Sequence, residues 1–504
     1  MNQNQSSNTK IYLNPKNFSL PLRQKIVEYI ILFLASTTHL FLFSLWTSPF
    51  YKYWYGCDAS FFTLVGRAIT EGKVPYRDFF DLKGPYFFFV EALGQLMAKA
   101  RLGAFLIQIP FAFASIILIY EICLLFITKR QAAIVILIYQ FGFITTLWGG
   151  NTLEEFALPL SLGCLYMILR SLYTKGLHFN ELPLYQPLIL GIVLGIDIFA
   201  KISVAAPILG IIAAAIFCDF VAHNYKSLFI FILYVLMGVA LATLPLLIYF
   251  GSNGCLSDML FCVFKLGFSR STDYYEAFNI TWELKLSGCV FAFIFAILHQ
   301  DKIGKEIGTI LVAMSAATWL LLHLGTPYYY YFTTVYPCLV LALCLFIKIY
   351  NPLLVFENWR QGVCILLLLI FSYYYVPSGL DSIRTVLYNH DDTNAVNYHN
   401  DCIEMASLIP ECDRDSVFSF MTDMQWFEAT QITPCCKYVV NLPFFIALDP
   451  PALDELLTMF RDEPPKWLVI GNDFEINLPE LGEVVNKKYA CIFENGSGKL
   501  YLLQ

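Results

Sequence analysis

Residues 53–89 read YWYGCDASFFTLVGRAITEGKVPYRDFFDLKGPYFFF and place Asp58, Arg77, Asp78, Asp81 and Lys83 among many aromatics. Carboxylates crowded with cations in this way suit two kinds of chemistry. A carboxylate can take the proton of an attacking hydroxyl, and a cation can neutralise an anion as it departs. Each residue also has an ordinary reading: Asp58 stands where a helix N-cap belongs, and aspartate caps helices routinely. The density of the cluster argues against that reading for all of them at once. Glu154 and Glu155 follow Trp148-Gly149-Gly150-Asn151 at the start of an apolar run. Thr152 and Glu155 match a capping box, whereas Glu154 has no such role and a carboxylate at a membrane-facing helix start is a functional candidate. Lys201 lies between two apolar runs in GIDIFAKISVAAP. It either snorkels to the headgroups or meets a lipid-linked phosphate. Asp78, Asp81 and Glu154 are also a candidate oxygen-ligand set for a divalent ion.

The elements that carry these residues are membrane helices. Of 504 residues 58% are hydrophobic, 17% aromatic and 14% charged, against roughly 25% charged in soluble chains. No basic stripe points to nucleic acid. Apolar runs long enough for a bilayer number about eleven: 26–47, 103–127, 131–149, 156–173, 185–200, 203–221, 228–250, 286–299, 307–325, 328–349 and 361–376. The first run, with no small-residue cleavage pattern after it, reads as an anchor. Lys10, Lys16, Arg23 and Lys25 precede it, so the N-terminus is expected in the cytoplasm. Alternation then leaves Lys129, Arg130, Arg170, Lys175, Lys226, Lys302, Lys305, Lys348 and Arg360 on that same side. Asp58, Glu154 and Lys201 fall on the other.

That agreement holds if residues 85–100 do not cross. The segment is short and has Glu91 near its middle, so it reads as an interfacial helix with Lys99 and Arg101 at its polar end. A short tilted span is the alternative. Residues 58–72 have Phe61, Leu64, Val65 and Ala68 on one helical face, which suggests an amphipathic helix resting on the membrane. After about residue 377 the chain turns polar. Segments 416–421, 437–442, 466–473 and 499–504 read as strands and 452–460 as a helix, which suits a small α/β domain. Seven of the fifteen cysteines (Cys123, Cys164, Cys218, Cys289, Cys338, Cys344 and Cys364) lie inside apolar runs as small buried hydrophobes. None shows zinc-ligand spacing.

Asp58, then PYRDFFDLKGP, then NTLEEFALP, together resemble bacterial members of the C-type (GT-C) glycosyltransferase superfamily. Within it the chain is similar to glycosyltransferase family 39, which includes protein O-mannosyltransferases and the aminoarabinose transferases of lipid A. The likeness covers mainly residues 50–210 and extends in layout through HLGTPYYYYFTTVYP (323–337). This chain has Lys-Gly-Pro where many relatives have Lys-Pro-Pro or His-Pro-Pro. The resemblance implies that Asp58 is the catalytic base and that Asp78, Asp81 and Lys83 shape the donor and acceptor site. It implies a sugar on a polyprenyl phosphate as donor, transferred with inversion to a protein, lipid or glycan acceptor. Arg77, Lys83 and Lys201 are then the cations for the departing phosphate. Tyr329 and Tyr330, in the run 328–331, either line the lipid groove or form an aromatic belt.

The expected architecture is a cytoplasmic tail (1–25), a GT-C-like transmembrane catalytic domain (26–376) with a first outer loop at 48–102, and an extracytoplasmic α/β domain (377–504). The expected location is a bacterial plasma membrane. A lipid or saccharide transporter or flippase, and a surface-polysaccharide polymerase or ligase, are the rival readings.

Overall fold

The structure, a computed structural model, describes residues 22–267, 280–323, 328–350, 358–420, 424–439, 446, 449, 451–472 and 479–504. The tail with Lys10 and Lys16, and residues 440–442 of the strand expected at 437–442, lie outside the described residues.

Long runs of Leu, Ile and Phe can bury their backbone polar groups in hydrocarbon only as helices. The chain forms α1 (Leu22–Phe43), α2 (Cys57–Thr70), α3 (Pro85–Met97), α4 (Ala100–Phe126), α5 (Lys129–Leu147), α6 (Leu153–Leu169), α7 (Tyr185–Ile198), α8 (Ala206–Val221) and α9 (Tyr225–Ser252). Helices Ser287–Leu298, Lys305–His323, Tyr336–Ile349 and Trp359–Tyr388 follow. Among the described residues nine helices are long and apolar enough to span a bilayer, and Tyr185–Ile198 and Ser287–Leu298 are shorter apolar helices. Together they account for each apolar run expected from the sequence. The last helix runs on through Tyr388, well past residue 376. Helix Tyr336–Ile349 is buried nearly throughout, at the centre of the bundle, whereas α9 exposes Phe229, Leu236, Leu241 and Ile248.

Helix α3 has 13 residues, about 20 Å of helix, too short for the roughly 30 Å hydrocarbon layer. Its expected polar end is only half present. Lys99 is exposed, but Arg101 turns inward and donates to the carbonyls of Leu45, Trp46, Ser48 and Tyr51.

The C-terminal part is built on a four-stranded sheet of order β1-β2-β4-β3. Strands β1 (Val417–Phe420) and β2 (Trp467–Gly471) run parallel, with Val417 opposite Trp467. β3 (Tyr489–Glu494) and β4 (Gly498–Leu503) add an antiparallel hairpin to β2, and helix Pro451–Asp462 covers the sheet through Phe460. The sequence pattern missed β3, whose burial does not alternate cleanly. Residues 437–439 form no strand; Lys437 O instead accepts from the amide of Phe80 in the first loop.

That contact belongs to a larger correction. Helix α2 is buried from Ala59 to Ala68 on every face, so it is not a surface helix with a wet side. Helix Gln425–Thr430 lies over it, and Arg67, only 8% exposed, donates to Gln431 Oε1 at 2.7 Å and Ile432 O at 3.0 Å. One hydrophobic core runs from Phe61, Phe62 and Phe87 through Trp426 and Phe427 to Leu468. The loop is clamped between bundle and sheet.

Candidate active site

Asp58 is not a cap. The N-cap of α2 is Gly56, and Asp58 is the second residue of the helix. Its position near the positive end of the helix dipole favours a negative charge, and its carboxylate points sideways. Oδ1 lies 3.5 Å from Lys83 Nζ, and Oδ2 accepts from the Tyr330 hydroxyl at 3.1 Å.

Lys83 is held by its own loop. Asp81, 6% exposed, accepts from the Lys83 amide at 3.0 Å and lies 3.9 Å from its ammonium. Gly84 then passes so close to the end of α7 that a Cβ there would sit 1.7 Å from Phe199 O. Its amide donates to Ala200 O at 2.9 Å. A side chain would push the loop off this turn, which accounts for glycine in the Lys-Gly-Pro triplet, and Pro85 opens α3 without losing an amide bond. The contact puts Lys83 beside Lys201.

Lys201 does not snorkel. Its ammonium meets Glu154 Oε1 at 2.5 Å and stands 3.0 Å from the ring centroid of Tyr331. Glu154 is delivered by a tight turn in which Trp148, Gly149, Gly150 and Asn151 all have positive φ, a conformation that glycine and asparagine tolerate best. Thr152 makes no side-chain cap, so the expected capping box is absent. Glu155 points the other way and accepts from Gln108 Nε2 at 2.5 Å. Successive residues on a helix face different directions, and only Glu154 enters the cleft.

Asp58, Phe62, Lys83, Thr152, Glu154, Lys201 and Tyr330 thus close around a narrow cleft of about 10 Å³. Other expected residues lie elsewhere. Asp78 closes its own turn, accepting from the Val74 amide at 2.6 Å and pairing with Arg77 at 2.9 Å. Burial works to raise its pKa, but the bonds from Arg77 and Val74 hold it below the usual carboxylate range. Arg77 is largely exposed beside it. Tyr329 stacks on Trp148 with ring centroids 4.8 Å apart and faces Lys285 at 4.3 Å. Among the described residues no group of three or more His, Cys, Asp or Glu side chains is arranged to hold a metal ion, so Asp78, Asp81 and Glu154 do not form the expected ligand set. Tyr331, the last of the tyrosine run 328–331, is the ring of that run that faces Lys201 most closely, because a 3₁₀ turn separates neighbouring rings.

Behind the loop lie two further buried carboxyl groups. Glu91 is fully buried, and burial pushes its pKa up to about 8. Glu428 comes from the C-terminal part; burial pushes it to about 7, against the pull of Arg67 and Arg101.

No protein-family profile matches the sequence, and no curated protein is significantly similar to it. Solved structures do match in fold. ArnT from Cupriavidus metallidurans bound to undecaprenyl phosphate superposes with a TM-score of 0.61 at 12% identity, over 94% of this chain and 98% of that one. Its apo state gives 0.56 at 11% identity, over 95% and 98%. The archaeal oligosaccharyltransferase AglB from Archaeoglobus fulgidus, in complex with an inhibitory peptide and a dolichol-phosphate, gives 0.53 at 14% identity, over 89% and 70%. The chain therefore has the fold seen in ArnT, and matches AglB in fold as well.

Proposed function

We propose that this protein is a membrane-embedded glycosyltransferase that moves a sugar from a polyprenyl-phosphate donor to an extracytoplasmic acceptor with inversion. The observation that carries the reading is the cleft itself. A carboxylate at the start of α2 meets Lys83 and shares its cleft with the Lys201–Glu154 pair, in a fold whose solved examples hold undecaprenyl phosphate and dolichol-phosphate.

In this reading Asp58 takes the proton of the acceptor hydroxyl as its oxygen attacks the anomeric carbon. The bond from that carbon to the phosphate oxygen breaks on the opposite face. Lys83 and Lys201 receive the negative charge that builds on the leaving polyprenyl phosphate. Tyr330 fixes the direction of the Asp58 carboxylate, Asp81 fixes Lys83, and Glu154 and Tyr331 fix Lys201. The lipid lies between helices with its phosphate at the cleft. The N-terminus is cytoplasmic, the cleft and the sheet face outward, and the location is a bacterial plasma membrane. The described sheet and the helices packed on it form the extracytoplasmic domain, which borders the loop and is placed to meet the acceptor.

The test is transfer of a labelled sugar from polyprenyl phosphate in membranes, comparing wild type with Asp58→Asn. Loss of transfer in the variant is expected. Unchanged transfer removes Asp58 as base, and lipid translocation without any transfer favours a flippase.

A further inference from the structure

The opposite end of the bundle holds a larger cavity, of about 970 Å³. Helix α6 and helix Tyr336–Ile349 run from the Asp58 cleft to this end, about 25 Å along the 17 residues of α6. Lys302, Lys305 and Lys348 line the cavity, together with Asp301 and Glu306. Both carboxylates have partners other than the lysines. Asp301 pairs with Arg360 at 3.1 Å, and Glu306 accepts from the Phe179 amide at 3.2 Å and meets His178 Nδ1 at 3.1 Å.

Among the described residues none of the three lysines is in an ion pair. Lys348 rests on an aromatic shelf, donating to the Tyr173 hydroxyl with the rings of Tyr173 and Phe126 at 4.8 Å and 5.8 Å. Lys302 lies 5.4 Å from the Tyr350 ring. Aromatic faces orient an ammonium without neutralising it. Three positive charges therefore converge on one concave space.

The flank of this space is apolar. Leu172, Cys218, Ala222, Leu345 and Ile349 line it. A cavity with lysines beside such an apolar wall suits a molecule with an anionic head and a hydrocarbon tail. Basic pockets between helix ends hold lipid headgroups on these terms.

We propose that this cavity binds the phosphate of an anionic phospholipid from the adjoining leaflet, at a site separate from the Asp58 cleft. The full-length protein in zwitterionic phosphatidylcholine vesicles is titrated with phosphatidylglycerol, and retained lipid is counted by native mass spectrometry. Wild type is expected to retain phosphatidylglycerol, and Lys302→Gln/Lys305→Gln/Lys348→Gln to bind it at least tenfold more weakly. Equal retention in the triple variant overturns the proposal. Retention of inorganic phosphate alone, without any of phosphatidylglycerol, also overturns it and marks a soluble-anion site. If the triple variant does not fold, Lys302→Gln and Lys305→Gln, both at exposed positions, serve singly. Severalfold weaker retention in them supports the site, and unaltered retention in both overturns it.

Discussion

Lys201 and Glu154 form a 2.5 Å ion pair in which the Glu154 side chain is 1% exposed. The pair joins the turn after α7 to the first turn of α6 and leaves the lysine's other side against Tyr331. Removing one partner of a buried pair strands the other charge, at a cost of about 3–5 kcal/mol. Lys201→Ala is therefore expected to melt well below wild type. Glu154→Gln added to it recovers part of the loss, because no carboxylate is then left unpaired. A thermal-melting double-mutant cycle measures this; equal melting of the single and double variants contradicts it.

Asp58 and Asp78 of the loop are expected to separate in activity. Asp58→Asn should lower sugar transfer by about 10²–10⁴-fold, the range of a lost general base. Asp78→Asn loosens the turn at residues 74–78, and its effect on transfer should be far smaller. Assaying both at equal membrane content checks the contrast.

Gly84→Ala tests the contact that joins the two lysines. The added methyl meets the Phe199 carbonyl and must displace the loop that carries Lys83. Transfer should fall sharply. Gly72→Ala, in the same loop with nothing near its Cβ but a φ of +89°, should cost about 1 kcal/mol of stability and leave transfer close to wild type.

Glu91 predicts a pH dependence. Its carboxyl titrates near pH 8 when folded and near its ordinary 4.5 when unfolded. The folded state thus holds a proton that the unfolded chain has lost between those values, so stability falls as pH rises through that window. Glu91→Gln removes this term. The wild-type melting temperature should drop between about pH 5 and about pH 8, and the variant's should drop less. Parallel curves would show that Glu91 contributes nothing.

The spanning helices were legible because a bilayer imposes a local rule. A run of about 20 apolar residues must become a helix whatever surrounds it, and every apolar run proved to be one. The first-loop motif was legible too, since Asp58, Asp81 and Lys83 lie within one short segment and meet in the fold. What the sequence could not show was direction. Glu154 and Glu155 are adjacent in the chain, yet one enters the cleft and the other joins Gln108 behind it. Tyr330 reaches Asp58 across 272 residues, and no local pattern encodes such a distance. Arg67 lies off the apolar face of Phe61, Leu64, Val65 and Ala68, yet it is buried, because its cover comes from Gln431 and Ile432 far along the chain. Composition and periodicity by themselves determined that the chain is a bundle of membrane helices with charged residues gathered on one loop. Only the tertiary structure decided which of those charges share a cleft, because a buried ion pair forms between whichever side chains packing brings within reach.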